Sequence, residues 1–198
     1  AAMSGRRVTS VSGAATAEMG STSSGWMVGR RDHVQIARTG GVHLGVDEVP
    51  LPDDAAADVT VSVLDVGWEL GHVMASNSWV REQVLDNPAV LVTTPTVPGL
   101  RRLETALTLL DPPDDATPVV ALVGAGHRWP RQLRAVLGPR SRVLAAGDRI
   151  VPVPPDRVLR FHGLTGTPLP APVLAAGRDI LACLAAGDTE NTTSKGHS

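Results

Sequence analysis

The chain has 198 residues, 42% of them apolar, a formal charge of −2 and one cysteine. That length suits one domain with a real core, and the near-neutral charge excludes a global attraction to nucleic acid or to a membrane surface. The lone Cys183 excludes an intramolecular disulfide framework and a cysteine metal cluster, and reads as small core filler.

Residues 8–11 (Val-Thr-Ser-Val) read as a buried strand running into a small-residue loop that continues to residue 23. A short first helix is expected over residues 22–31, although Gly25 and Gly29 each cost about 1 kcal/mol against alanine in a helix interior. Residues 34–37 form the second strand. Residues 42–46 with Val49 form a small extra strand or a turn. Residues 59–64 (Val-Thr-Val-Ser-Val-Leu) are a strong β-branched strand, and residues 78–85 a short helix with Val80, Val84 and Leu85 on one face. A strand over residues 89–94 ends at Pro95.

The clearest helix spans residues 98–110, with Pro98 in its first turn and Leu100, Leu103, Leu107 and Leu110 at three- and four-residue steps. Pro112-Pro113 stops it. Residues 119–123 form another strong strand, and residues 130–137 a helix ended by Gly138-Pro139. Residues 142–144 and 150–153 are short late strands. The last helix covers residues 172–186, with Val173, Leu174, Ile180, Leu181 and Leu184 on its apolar face and Gly187 as its stop. Continuous apolar runs suit strands covered on both faces. The expected fold is therefore α/β, a mostly parallel central sheet flanked by helices, a layout that resembles the three layers of P-loop NTPases. Its middle strands would be residues 8–11, 59–64, 89–93 and 119–123, in one domain over residues 1–187, with a disordered polar tail at 188–198.

Two features point to nucleotide chemistry. The loop over residues 13–23 offers Gly13, Gly20, Ser21, Thr22 and Ser23, the small and hydroxyl residues that let backbone N–H groups approach phosphate at a helix N-terminus. The strand ending at residue 64 is followed by Asp65 and, after one residue, Gly67. An acid at the carboxyl end of a parallel strand is where P-loop proteins hold magnesium, so Asp65 is the candidate metal ligand. The plain alternative for Asp65 is a turn or helix cap.

The order of these motifs resembles the MinD/ParA family of deviant-Walker P-loop ATPases. The segment Val59 to Gly67 resembles that family's second acidic motif, and Thr93-Thr94-Pro95-Thr96-Val97-Pro98 its hydrophobic strand, Thr/Pro turn and helix. Ile150-Val151-Pro152-Val153-Pro154-Pro155-Asp156 looks like the strand and proline turn that flank the base, which implies a nucleotide contact at Pro154. The resemblance runs from about Val8 to Leu184.

The departures are chemical. The family's loop reads Lys-Gly-Gly-x-Gly-Lys-Thr-Thr. Here Thr16 and Ala17 replace its central glycines, Glu18 adds a negative charge, and Ser21 stands in place of the lysine. The one lysine, Lys195, lies in the tail. The strand after the first helix ends Ala37-Arg38-Thr39-Gly40-Gly41 without the carboxylate that organises water, although Arg38 offers a substitute phosphate contact or a solvated charge. An arginine finger alone is worth roughly 10³–10⁵ in rate, so turnover is expected to fall to background. The resemblance then implies a pseudo-ATPase, with no catalytic residues. It would act as a binding or positioning factor in partition, localisation, secretion or conjugation machinery.

No cofactor is expected, with ATP and Mg as the alternative. Rival readings are an active nucleotide switch with an unorthodox loop, or a small-molecule enzyme on a Rossmann- or flavodoxin-like sheet, whose Gly-x-Gly-x-x-Gly fingerprint is absent after the first strand. The histidines His43, His72, His127 and His162 lack metal-ligand spacing. Trp68 and Trp79 read as core or interface anchors.

Arg128, Arg131, Arg134, Arg140 and Arg142 crowd one segment that contains no acid. Arg131 and Arg134 share a helix face while Leu133, Val136 and Leu137 turn inward. The cluster reads as a solvated basic face or as a docking patch for an anionic partner, either DNA backbone or an acidic protein. A protein partner, a homodimer, a cytoplasmic location and no membrane attachment complete the expectation. No apolar run nears the roughly 20 residues that cross a bilayer, and the last helix lacks the basic amphipathic face that anchors MinD relatives.

Overall fold

Among the described residues two three-stranded sheets form, one antiparallel and one parallel. They lie in a computed structural model that describes residues 19–31, 33–52, 60–112, 117–126, 131–163 and 168–194. The chain divides into one unit of Ala1–Arg81 with Val158–Leu169 and a second of Glu82–Arg157 with Pro170–Ser198. The expected α/β class is present, but not as one mostly parallel central sheet.

In the first unit, β1 (Gly20–Ser21), β2 (Trp26–Arg31) and β3 (Val34–Thr39) form the antiparallel sheet. Its register runs from Trp26 opposite Thr39 to Arg31 opposite Val34. The helix expected over residues 22–31 is thus a turn and a strand. Thr22 to Gly25 closes a three-residue hairpin loop, with the Gly25 N–H donating to the Thr22 carbonyl at 3.3 Å. Gly25 sits at φ +86°, a left-handed conformation that glycine adopts without a Cβ penalty. Trp26, Met27 and Val28 then favour the extended state.

Of the extra strand or turn expected over residues 42–46 with Val49, the turn forms, as a 3₁₀ turn at Val46–Glu48. The helices α1 (Leu70–Ala75) and α2 (Trp79–Asp86) follow, α2 falling within one residue of the expectation at each end. Trp26 is buried against Trp79, with ring centroids 6.4 Å apart and planes tilted by 58°. The Trp26 indole N–H donates to the carbonyls of Pro50 and Leu51, and that of Trp79 to Val49. Two indoles thereby fasten the irregular segment after the 3₁₀ turn while keeping their own donors satisfied. The Asp47 carboxylate accepts from the Asn77 N–H at 2.9 Å.

Of the strand expected over residues 59–64, residues 60–64 form no strand and Val59 lies outside the described residues. Residues 60–67 carry no regular structure, and Val61 and Val63 are 55% and 81% exposed. β-propensity measures the fit of a side chain against strand neighbours, and no strand pairs with this segment among the described residues. Residues 8–11 lie outside the described residues.

The second unit is built on β4 (Val90–Thr93), β5 (Val119–Val123) and β6 (Ile150–Val153), all parallel and ordered β4-β5-β6. Val90 pairs with Val119, and Val120 with Ile150. The crossovers are α3 (Val97–Leu110), then α4 (Arg131–Val136) and α5 (Pro139–Ala146). Leu100, Leu103 and Leu107 of α3 pack with Val120 and Leu122 of β5, Leu137, and Leu144 of α5. The alternate side chains, Val119 of β5 and Val151 of β6, pack under α7 (Ala171–Ser194) through Ala176, Ile180, Cys183 and Leu184. Those four recur at helical spacing, and the period-2 alternation of β5 feeds both cores. Cys183 packs as the filler expected of it.

Three expectations change here. Residues 142–144 lie in α5, where Pro139 opens the helix and Ser141 and Leu144 are buried. Gly187 does not stop α7, which continues to Ser194. An interior glycine costs a helix about 1 kcal/mol, and no proline follows to enforce a break. Leu181, placed on the apolar face of the last helix, is exposed. The short helix α6 (Arg157–His162) precedes α7.

Candidate functional site

The phosphate-loop residues fall in the β1–β2 hairpin. Gly20 pairs with Val28 and Ser21 with Met27. The Thr22 N–H donates to the Trp26 carbonyl at 2.7 Å, and the Thr22 hydroxyl accepts from the Trp26 N–H at 3.2 Å and bonds the Ser24 hydroxyl at 3.0 Å. A phosphate site needs several backbone N–H groups left pointing at one spot, usually at the start of a helix. Here the donors of Thr22, Gly25 and Trp26 are spent on the turn itself, and a strand follows. Ser21 and Ser23 are exposed. Gly13 lies outside the described residues.

Asp65 and Gly67 are both exposed on the irregular segment after residue 60. Among the described residues, no hydrogen bond or ion pair joins Asp65 to Gly20, Ser21, Thr22 or Ser23. Arg38 is exposed on β3 opposite Met27. Pro154 directly follows β6 in the second unit and is half-buried. The hairpin therefore gathers Gly20, Ser21, Thr22 and Ser23, while Asp65 and Gly67 sit on a separate segment.

The carboxyl edge of the parallel sheet carries the Thr/Pro turn. Thr96 caps α3, its hydroxyl accepting from the Gly99 N–H at 3.1 Å. The Thr93 hydroxyl donates to the Gly99 carbonyl at 3.0 Å, and the Thr94 and Thr96 hydroxyls bond each other at 3.1 Å. These hydroxyls fix the start of α3 onto the end of β4, which is the work of an N-cap.

The arginine segment is held by a contact that sequence reasoning missed. The residue before α5 is Gly138, which has no side chain with which to cap it. Glu104 of α3 supplies the cap from another helix. Its carboxylate accepts from the Arg140 N–H at 2.8 Å, the Ser141 N–H at 3.0 Å and the Ser141 hydroxyl at 2.7 Å. Partial burial pushes the Glu104 carboxyl up. The Ser141 hydroxyl, the two backbone N–H groups and the Arg140 charge outweigh it and hold the group below the usual glutamate value. A Cβ on Gly138 would overlap this carboxylate, so the glycine is required by close approach. The available signal was a Gly-Pro helix start without Ser, Thr, Asp or Asn, which leaves orphan N–H groups in need of a partner.

Arg140 bonds Asp111 at 2.8 Å, where Asp111 ends α3 in the left-handed region at φ 37°. Its guanidinium, itself exposed, pairs with Asp111 within the unit. Arg134 on α4 and Arg142 on α5 are exposed. Leu133 packs on the core and Leu137 is buried, the inward face expected of them. Arg128 and the Arg131 side chain lie outside the described residues.

Among the described residues, no group of three or more His, Cys, Asp or Glu is placed to hold a metal ion. Among those residues, no helix is long and apolar enough to cross a membrane. The chain matches no family model, no curated protein and no solved structure.

Proposed function

We propose that this protein is a binding or positioning factor, a degenerate MinD/ParA-like chain that works without turning over ATP. It would serve partition, localisation, secretion or conjugation machinery through a protein partner. The observation that carries this reading is the fate of the phosphate loop. Gly20 and Ser21 enter an antiparallel hairpin whose turn uses the N–H groups of Thr22, Gly25 and Trp26, and the sequence puts no lysine next to them. The reading draws support from the second unit: a parallel β4-β5-β6 order, a Thr-capped helix after β4 and the pair Pro154-Pro155 after β6. A phosphate-release assay with Mg-ATP tests it. Release at the buffer rate is expected, and turnover that Asp65→Ala abolishes would replace this reading with that of an active switch.

The exposure of Arg134 and Arg142 favours a second contact, with an anionic partner such as duplex DNA. Contacts of this kind engage phosphates and carry no sequence information.

A further inference from the structure

We draw no further inference here: the strongest candidate, the apolar strip left by Val90 and Val92 of β4 and Val123 of β5 on the sheet face that α7 packs against, carries nothing because no feature of the structure shows what covers it.

Discussion

Glu104 is the residue whose chemistry is most sharply defined. Its carboxyl has a lower pKa folded than unfolded, so its stabilising contribution is complete above the ordinary glutamate range. That contribution is lost as pH falls through and below this range. Glu104→Gln should destabilise the protein at neutral pH by about 1 kcal/mol, within the range for a lost N-cap. The variant should also lose less stability than the wild type on acidification. Urea denaturation at neutral and acidic pH checks both; equal acid sensitivity of the two proteins would show that Glu104 is not the group responsible. Two glycines separate conformational from steric demands. Gly25 has φ +86° and open space where a Cβ would stand, so Gly25→Ala should cost about 1–2 kcal/mol through the backbone alone. Gly138 has an ordinary φ of −76°, so Gly138→Ala acts by displacing Glu104. Combined with Glu104→Ala, the Gly138→Ala penalty should largely vanish in thermal melts, whereas that of Gly25→Ala should persist.

At the scale of elements, the second unit rests on α3. Leu103 is buried between β5 and α5, and Leu103→Ala should cost roughly 2–5 kcal/mol in denaturant unfolding. A loss under 1 kcal/mol would mean that the cluster is not packed as described. This helix was legible because its four leucines and its first-turn proline give one message at every level. Strand β5 was legible to its end residues, since its unbroken apolar run feeds two cores. The hairpin was not, because a Gly/Ser/Thr-rich loop before Thr22–Arg31 suits a helix start as well as a turn. Ser23-Ser24-Gly25 before Trp26-Met27-Val28 is a hairpin signal in its own right. Residues 60–64 have strong strand composition, yet a strand exists only through its neighbours. In α5, Val143 and Leu144 look β-like in isolation. Pro139 and a carboxylate 35 residues before it (Glu104) make the segment helical, and a contact so distant in sequence leaves no local trace. Of the candidate site, the small and hydroxyl residues Gly20, Ser21, Thr22 and Ser23 were legible, but the use of the Thr22, Gly25 and Trp26 N–H groups in a turn was not.

At the scale of the whole molecule, the formal charge of −2 means that any attraction to DNA has to come from a local patch. Arg134 and Arg142 are exposed, while Arg140 is tied to Asp111. Anisotropy with random duplex DNA should show weak binding at low salt that falls steeply as salt rises. Arg134→Ala with Arg142→Ala should weaken that binding, whereas Arg140→Ala should act mainly on stability. Absence of binding even at low salt would remove DNA as the partner.

The central proposal is that the segment over residues 13–23 does not serve a nucleotide. Calorimetric titration of the intact chain with Mg-ATP measures this directly. The use of the Thr22, Gly25 and Trp26 N–H groups in the turn and the missing lysine predict no heat of binding at micromolar ligand. A micromolar or tighter dissociation constant that Asp65→Ala abolishes would contradict the account.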